Sequence, residues 1–248
     1  MNVQYQRGSA LISVMIILLL TTVLGVIAVR QGSTNLNLAM NASVQSLLIQ
    51  SSDVGFDKLE NSDMAVSATG AGPLGYLRLE GNAGKEYVFC YRPTDASAIR
   101  IYNINKDTIL LPGGGFENGV NGLCDTGKAE DYSSGRRVVV SQMGLVRPQE
   151  AVVAEPFQYY EKGTDSETVK RPDQQRYRAY VTSIAPTLAR SASKEAINKC
   201  FENPNDDASV AAGPATKSTS DCLFDLGVPS NTQVQDYVLG GLVEVSTL

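Results

Sequence analysis

The sequence predicts an α+β protein in which a long N-terminal helix packs on an antiparallel β-sheet. Two observations carry this prediction. Residues 9–60 contain no proline, and they are apolar at first and then polar but nearly uncharged. After residue 60 the chain changes to short β-prone runs separated by glycine-rich segments. One long helix followed by a series of strands is typical of α+β proteins.

The first part of this stretch has the length and composition of a transmembrane helix. Residues 9–29 carry no charge, and they follow a short polar leader, MNVQYQRG, at residues 1–8. A helix of this length reaches about 31 Å, close to the thickness of bilayer hydrocarbon. The junction Arg7-Gly8-Ser9 lies before the apolar segment, whereas a secretory signal peptide is cut after it. Cleavage here leaves the helix on the mature protein. A plain single-pass anchor is the simpler alternative.

The helix is expected to continue beyond the membrane to residue 60. From Ser9 to Ser52 the only charged residue is Arg30, and the first proline is Pro73. Because a buried unpaired charge is costly, neutral polar residues favour a helix packed among other helices over an exposed stalk. Apolar residues at helical spacing predict an apolar face made of Leu36, Met40, Val44, Leu47 and Val54.

Residues 61–248 are expected to form a globular domain. The glycine-rich residues 61–75 are predicted to be a loop, and a second such segment, 112–122, separates two strands. A short helix is predicted at 187–200. β-Branched and aromatic residues predict strands at 85–91, 98–104, 137–142, 151–160, 176–185 and 237–246.

All four cysteines lie after the apolar segment. An even number of cysteines on the exported side of a membrane favours disulfides over free thiols. Three pairings are possible, and the pairing of sequence neighbours, Cys90 with Cys124 and Cys200 with Cys222, is favoured. Each bridge closes a loop of a few tens of residues and is expected to contribute about 3 kcal/mol. A zinc site is the weaker alternative, because the chain has no CxxC pair and no histidine.

The composition argues against enzymatic activity and general nucleic-acid binding. Without histidine the chain has no Ser-His-Asp triad, Cys-His pair or His-ligated zinc centre. The net charge is −5, and no Lys/Arg cluster is larger than Arg136-Arg137, which argues against a nucleic-acid-binding surface.

No cofactor or metal is expected. Residues 122–129, GLCDTGKA, imitate a phosphate-binding loop, but Ala129 stands where that loop needs serine or threonine to hold magnesium. Asn203, Asp206 and Asp207 offer oxygen ligands for calcium, yet their spacing does not match an EF-hand.

The N-terminal segment resembles a known family. The leader ends in a basic residue and glycine, the apolar run starts at the next residue, and an amphipathic continuation follows, as in type IV prepilins. The segment QRGSALISVMIILLLTTVLGVIAVRQ is most similar to the PilX group of minor pilins. The resemblance covers residues 6–60 and is loose beyond them. It implies that a prepilin peptidase cuts after Gly8 and methylates the new N-terminal amine on Ser9.

Two positions depart from most members of that family. Most pilins begin the mature chain with Phe or Met and have glutamate fifth, whereas this chain has Ser9 and Ser13. In the family, that glutamate pairs with the N-terminal amine of a neighbouring subunit. Several PilX-like proteins and related K-type pseudopilins lack it and are placed at the filament tip. A carboxylate in hydrocarbon without a partner is costly. Ser13 therefore favours a fibre-initiating position, with a tolerated small polar residue as the alternative.

The resemblance implies a minor pilin that joins a priming complex for type IV pilus assembly and acts through the pilus in adhesion, twitching motility and DNA uptake. The expected partners are other minor pilins, the major pilin, a PilY-type tip adhesin and the prepilin peptidase. The expected location is the inner membrane, with the C-terminal domain in the periplasm, and after assembly the pilus tip.

Two other functions remain open. A minor pseudopilin of a type II secretion system typically has a large inserted domain, and this chain offers only the segment between Cys200 and Cys222. A surface-binding adhesin domain on a membrane anchor is the second alternative.

Overall fold

The computed structural model describes residues 9–60, 72–93, 107–133, 135–149, 171–189, 191–213 and 217–243. The chain divides into two units that meet between Val44 and Gln45. Helix α1, Ser9–Glu60, has the predicted bounds and belongs to both units. The sequence analysis placed the start of the globular domain at residue 61, whereas the globular unit already includes residues 45–60 of the helix.

The second unit is built on a six-stranded antiparallel sheet with the strand order β3-β2-β1-β4-β5-β6. Residues 45–60 of α1 pack on this sheet, so the predicted α+β class is confirmed. The strands are β1 Glu86–Cys90, β2 Thr108–Leu110, β3 Phe116–Glu117, β4 Val140–Val146, β5 Arg171–Ile184 and β6 Ser230–Val243.

The described part of the second unit also contains four short α-helices, and three of them begin at a side-chain cap. Ser193, Asp206 and Ser218 each accept a hydrogen bond from the backbone N–H three residues further on. Such caps satisfy N–H groups that a helix start leaves without partners. The helices are α2 Pro73–Arg78, α3 Lys194–Cys200, α4 Asp207–Ala211 and α5 Thr219–Asp225.

The sheet has a packed layer on each face. Side chains along a strand alternate between faces, so Tyr87 and Phe89 join one core while Val88 and Cys90 join the other. We call residues 45–60 of α1 together with α2 the helix layer, because Phe56, Leu59, Leu74 and Leu77 pack in the first core. We call residues 191–213 and 217–228 the disulfide layer; Ile197, Cys200, Phe201 and Leu223 pack in the second core.

The observed strands agree with the predicted ones to different degrees. Strand β1 lies within the predicted run 85–91, and β5 includes most of 176–185. Strand β4 begins three residues later than predicted, because Arg137 has a φ of 53°, which is incompatible with an extended strand. Strand β6 begins at Ser230, ahead of the predicted 237. The predicted strands 98–104 and 151–160 lie outside the described residues.

Two predicted non-strand segments also differ from the structure. The predicted helix 187–200 is helical only from Lys194, after a 3₁₀ turn at Pro186–Leu188. The predicted loop 61–75 ends in helix α2, which begins at Pro73. Proline suits this position because its missing N–H has no helical partner at a helix start.

Candidate functional site

The N-terminal part of the first unit, up to Val29, presents an apolar surface on all sides of its helix. Every side chain from Leu11 to Ser43 is exposed, including Leu24 at 65% and Val29 at 74%. The only charge in this range is Arg30. A helix that is apolar all round is typical of a membrane span or of a helix enclosed by other helices.

Two threonine hydroxyls within this helix are satisfied by the helix itself. Thr21 Oγ1 donates a hydrogen bond to the Leu18 carbonyl at 2.9 Å, and Thr22 Oγ1 donates to the Leu19 carbonyl at the same distance. These hydroxyls therefore need no water, which hydrocarbon would not supply. The helix is long and apolar enough to cross a membrane, as a single-pass anchor requires.

The predicted processing site lies at the start of this helix. Gly8 falls outside the described residues, and Ser9 is the first residue of α1. Ser13 is exposed one turn further along. The first turn of α1 contains no acidic residue. The side chain at position 13 therefore places a hydroxyl, rather than a carboxylate, near the start of the helix.

In the second unit, the helix buries one narrow face against the sheet. Leu48, Ser52, Phe56 and Leu59 are spaced at helical intervals and are each at most 7% exposed. Gly55 lies on the same face, where a Cβ atom would stand 2.9 Å from Val181 Cγ1. The absence of a side chain at Gly55 lets the helix approach β5 closely.

This buried face is not the apolar face that the sequence predicted, which stays largely exposed among the described residues. Leu36, Met40, Leu47 and Val54 are between 41% and 62% exposed, and Val44 is only half-buried. The prediction followed apolar residues alone, whereas the true buried face includes Ser52 and Gly55. Ser52 suits this interface because its hydroxyl donates a hydrogen bond to β5. Gly55 suits it because a residue without a side chain lets the helix approach β5 closely.

Four serines form a hydroxyl cluster between α1 and the sheet. Ser52 Oγ donates to Ser183 Oγ at 2.9 Å, and Ser51 Oγ lies 2.9 Å from Ser141 Oγ. Ser141 and Ser183 are paired in register on β4 and β5, with their hydroxyl oxygens 2.8 Å apart. A hydroxyl both donates and accepts, so the cluster satisfies its own buried groups. It fixes the rotation of the helix on the sheet.

The two disulfides join Cys90 to Cys124 and Cys200 to Cys222. This is the pairing of sequence neighbours that the sequence analysis favoured. Their Cα atoms are 4.8 Å and 5.4 Å apart, within the ordinary range for disulfides. Such bonds are typical of domains that fold in an oxidising compartment, outside the cytosol. Together with the apolar helix, they indicate an exported domain on a membrane anchor.

Residues 122–129, whose sequence resembles a phosphate-binding loop, are held by contacts within the protein. Cys124 is in the first disulfide, and its backbone N–H donates to Gln142 Oε1 at 3.1 Å. The Gly127 N–H is held by Asp125 Oδ1 at 2.8 Å. This bond is the largest cause that lowers the pKa of Asp125. The Asp125 carboxylate makes this loop unsuited to bind a phosphate, because the two groups are both negatively charged.

A buried glutamate connects the sheet to the disulfide layer. Glu86 on β1 is completely buried, and its carboxylate accepts hydrogen bonds from the backbone N–H and the side-chain Nδ2 of Asn205, both at 2.7 Å. Its side chain lies across Gly144 on β4, where a Cβ atom would stand 2.1 Å from Oε1. Burial raises the pKa of Glu86 to about 7, although the bonds from Asn205 oppose this effect.

The residue after Asn205 continues the same network. Asp206 is 3% exposed and accepts a hydrogen bond from the Tyr180 hydroxyl at 2.9 Å. Arg178 Nη1 lies 3.4 Å from the same carboxylate oxygen, and the other oxygen accepts from the Ser209 N–H at the start of α4. Burial raises the pKa of Tyr180, so its hydroxyl remains a donor. The oxygens of Asp206, considered above for calcium, are thus bonded to protein groups.

The sequence analysis missed both the hydroxyl cluster and the Glu86–Asn205 contact. A signal for the second was present, since Glu86 is a single acid at the start of the otherwise apolar strand EYVFC. Its partner lies 119 residues away, and no sequence pattern connects the two. Comparisons with protein-family models, with curated proteins and with solved structures find no match to this chain.

Proposed function

We propose that this chain is a PilX-like minor pilin, a structural subunit that takes part in priming type IV pilus assembly. The observation that best supports the proposal is the continuity of α1 from Ser9 to Glu60. Its first part is apolar all round and exposed, and its second part belongs to a disulfide-bonded α+β unit. Such a helix suits a lipid bilayer and also a bundle of similar helices, since neither favours a charged surface.

The two units supply different parts of this function. Residues 9–29 provide apolar contact without a directional pattern, which anchors the subunit in the inner membrane. Residues 9–44 later hold it among other helices. The second unit presents a specific polar surface, which selects neighbours. These neighbours are the other minor pilins, the major pilin and a PilY-type tip adhesin. In the precursor, residues 1–8 are the substrate of the prepilin peptidase.

Mass spectrometry of the N-terminal peptide tests the prepilin assignment. In a host with a prepilin peptidase, the mature protein is expected to begin at Ser9 with an N-methylated amine. Gly8→Phe should block processing, because a bulky side chain does not fit where glycine is cut. Gly8→Ala is the matched control, and it should still be processed. A mature protein that begins at Met1, or one cut after Val29, would contradict the proposal.

The tip position has a separate test. A fibre-initiating subunit is needed in about one copy per pilus, so immunogold labelling should mark one end of a fibre and leave broken shafts bare. Ser13→Glu should be neutral or harmful, since a carboxylate in hydrocarbon costs about 2.5–3.5 kcal/mol at a helix centre and less near its end. Regular labelling along the shaft would place the subunit there and refute the tip position, while leaving the pilin assignment intact.

A further inference from the structure

The two edges of the sheet are protected to very different extents. One edge is β3, which has only two residues, Phe116 and Glu117. The other edge is β6, which has 14 residues, and within the described chain it pairs with β5 alone. Proteins usually protect an exposed edge with short length, lysine or proline. Strand β6 contains neither residue, and its one charge, Asp236, forms ion pairs with Arg176 and Arg178 on β5.

The register identifies which backbone groups of β6 face outward. The β5–β6 pairing runs from Ile184↔Ser230 to Arg171↔Val243 without a bulge. Next to it, the Ala185 N–H donates to the Pro229 carbonyl at 2.9 Å. Hydrogen-bonded pairs alternate along an antiparallel ladder, so the odd-numbered residues of β6 bond to β5. The even-numbered residues Thr232, Val234, Asp236 and Val238 turn their N–H and C=O groups away from β5, to the edge that no other described strand covers.

An acidic groove of about 500 Å³ lies beside this edge, between α1 and β6. It is lined on the helix side by Asp53, Asp57 and Glu60 around Phe56, and on the strand side by residues 233–235. None of the described residues that line the groove is a lysine or an arginine. Glu60 accepts hydrogen bonds from Gln235 and Tyr237, which hold its side chain in place. The C-terminal end of α1 adds partial negative charge.

We propose that the open edge of β6 is a docking site for an extended segment of a partner protein that carries lysine or arginine. Backbone hydrogen bonds to Thr232, Val234 and Asp236 would supply affinity by adding a strand to the sheet. The added strand lies about 4.8 Å from β6, so its side chains on the α1 face reach the acidic groove. The groove then selects for positive charge.

A second copy of this chain is a poorer occupant of the edge. Pairing two β6 edges would bring two acidic grooves towards one seam, and like charges across a strand pair are destabilising. The docking site lies wholly within the second unit. The proposal therefore does not depend on the pilin assignment, and either can fail without the other.

Peptide binding to the full-length protein in neutral detergent tests the charge and the edge together. The probes are two fluorescent peptides of about ten residues. In the first, lysine alternates with threonine and valine. In the second, glutamate replaces each lysine. The lysine peptide should bind with a dissociation constant below about 1 mM, and the glutamate peptide should bind at least about tenfold more weakly. Asp53→Asn combined with Asp57→Asn should weaken binding of the lysine peptide about threefold or more.

The edge itself is tested at Val234. Val234→Pro removes one outward N–H and leaves the bonds to β5 in place, which is why proline is tolerated at strand edges. It should weaken binding of the lysine peptide about tenfold, whereas the matched control Val234→Thr should change binding less than about twofold. The proposal would be overturned if the lysine peptide bound equally well to Val234→Pro and Val234→Thr, or if the lysine and glutamate peptides bound equally well to the wild type. It would also be overturned if the lysine peptide did not bind up to about 1 mM.

Hydrogen exchange on the unmodified protein gives an answer even if Val234→Pro does not fold. The amides of Thr232, Val234 and Asp236 should exchange quickly in the free protein and slowly with the lysine peptide bound. The amides of Gln233 and Gln235 should be protected in both states, because they bond to β5. If peptide addition leaves the even-numbered amides unprotected, or if they are already protected in a dimer of this chain, the proposal is wrong.

Discussion

Residues 9–44 and residues 45–60 belong to one helix and differ in what surrounds their side chains. In the first segment, every side chain from Leu11 to Ser43 is exposed and only Arg30 is charged. In the second segment, one face is buried against the sheet while Asp53, Asp57 and Glu60 lie on exposed positions. The first segment therefore resembles a helix made for a non-aqueous environment, and the second resembles an ordinary surface helix of a globular domain.

The comparison shows that apolar content alone does not identify the face of a helix that is buried. Among the described residues, the segment with more apolar residues has no buried face, and the less apolar segment has one. The buried face depends on side chains that fit a particular place on the sheet: Leu48 by volume, Ser52 by a hydrogen bond and Gly55 by close approach. Substitutions of the same type in the two segments should therefore differ in effect.

The largest difference is expected for leucine. Leu48→Ala should lower the free energy of unfolding of the second unit by about 2–5 kcal/mol, because Leu48 is completely buried and its truncation leaves a cavity. Leu36→Ala, in the same helix, should change it by less than about 0.5 kcal/mol, because Leu36 is 62% exposed. Urea unfolding in detergent, followed by tyrosine fluorescence, measures both. Similar losses from the two substitutions would contradict the distinction between the segments.

The next effect is a pH dependence confined to the second unit. The pKa of Glu86 is raised to about 7 in the folded protein from an ordinary 4.5, so protonation favours folding. This contribution is fully present below pH 4.5 and is lost as the pH rises through 7. Stability should fall by up to about 3 kcal/mol between pH 5 and pH 8. Residues 9–44 have no acidic group and one arginine, and should not respond.

Two glutamate variants separate this effect from general charge effects. Glu86→Gln should flatten the dependence of the thermal midpoint on pH between 5 and 8, since it removes the buried titrating group. Glu80→Gln changes an exposed glutamate and should keep the wild-type slope. Infrared spectroscopy of the wild type should also show a protonated carboxyl band that disappears near pH 7. If Glu86→Gln keeps the wild-type slope, the raised pKa is not the cause.

The smallest effect is expected for glycine. Gly55→Ala places a Cβ atom 2.9 Å from Val181 Cγ1, in a position where Val181 is completely buried and has little freedom to move. Overpacking should exceed the gain in helix propensity and cost about 1 kcal/mol. Gly32→Ala meets no atom within 4 Å, and should leave the stability of the second unit unchanged. Thermal unfolding compares them, and a more stable Gly55→Ala protein would show that the helix can shift on the sheet.

Much of the fold followed from local sequence patterns. The bounds of α1 came from its missing proline and charges, and β1 came from its aromatic and β-branched residues. Strand β6 was recognised only at its C-terminal end, because its first residues, SNTQVQD, are polar on an exposed sheet edge. Strands β2 and β3, with three and two residues, are too short to produce a periodic pattern.

The contacts that hold the layers together could not be derived in the same way. Ser52 and Ser183 are 131 residues apart, and each is an unremarkable residue in its own segment. The helices of the disulfide layer did leave a signal, since Ser218 and Asp221 form a capping box at the start of α5. That pattern was overlooked because the surrounding sequence is rich in small polar residues, which also suit a loop.

Both disulfides lie on the same side of the sheet. Their cysteines pack in the core of the disulfide layer, and no bridge joins helix α1 to the strands. The two layers therefore depend on different chemical conditions during maturation. Docking of residues 45–60 needs only apolar burial and hydroxyl contacts, and it is available to the reduced chain. The disulfide layer is cross-linked only when its thiols are oxidised, so its full stability depends on an oxidant, whereas that of the helix layer does not.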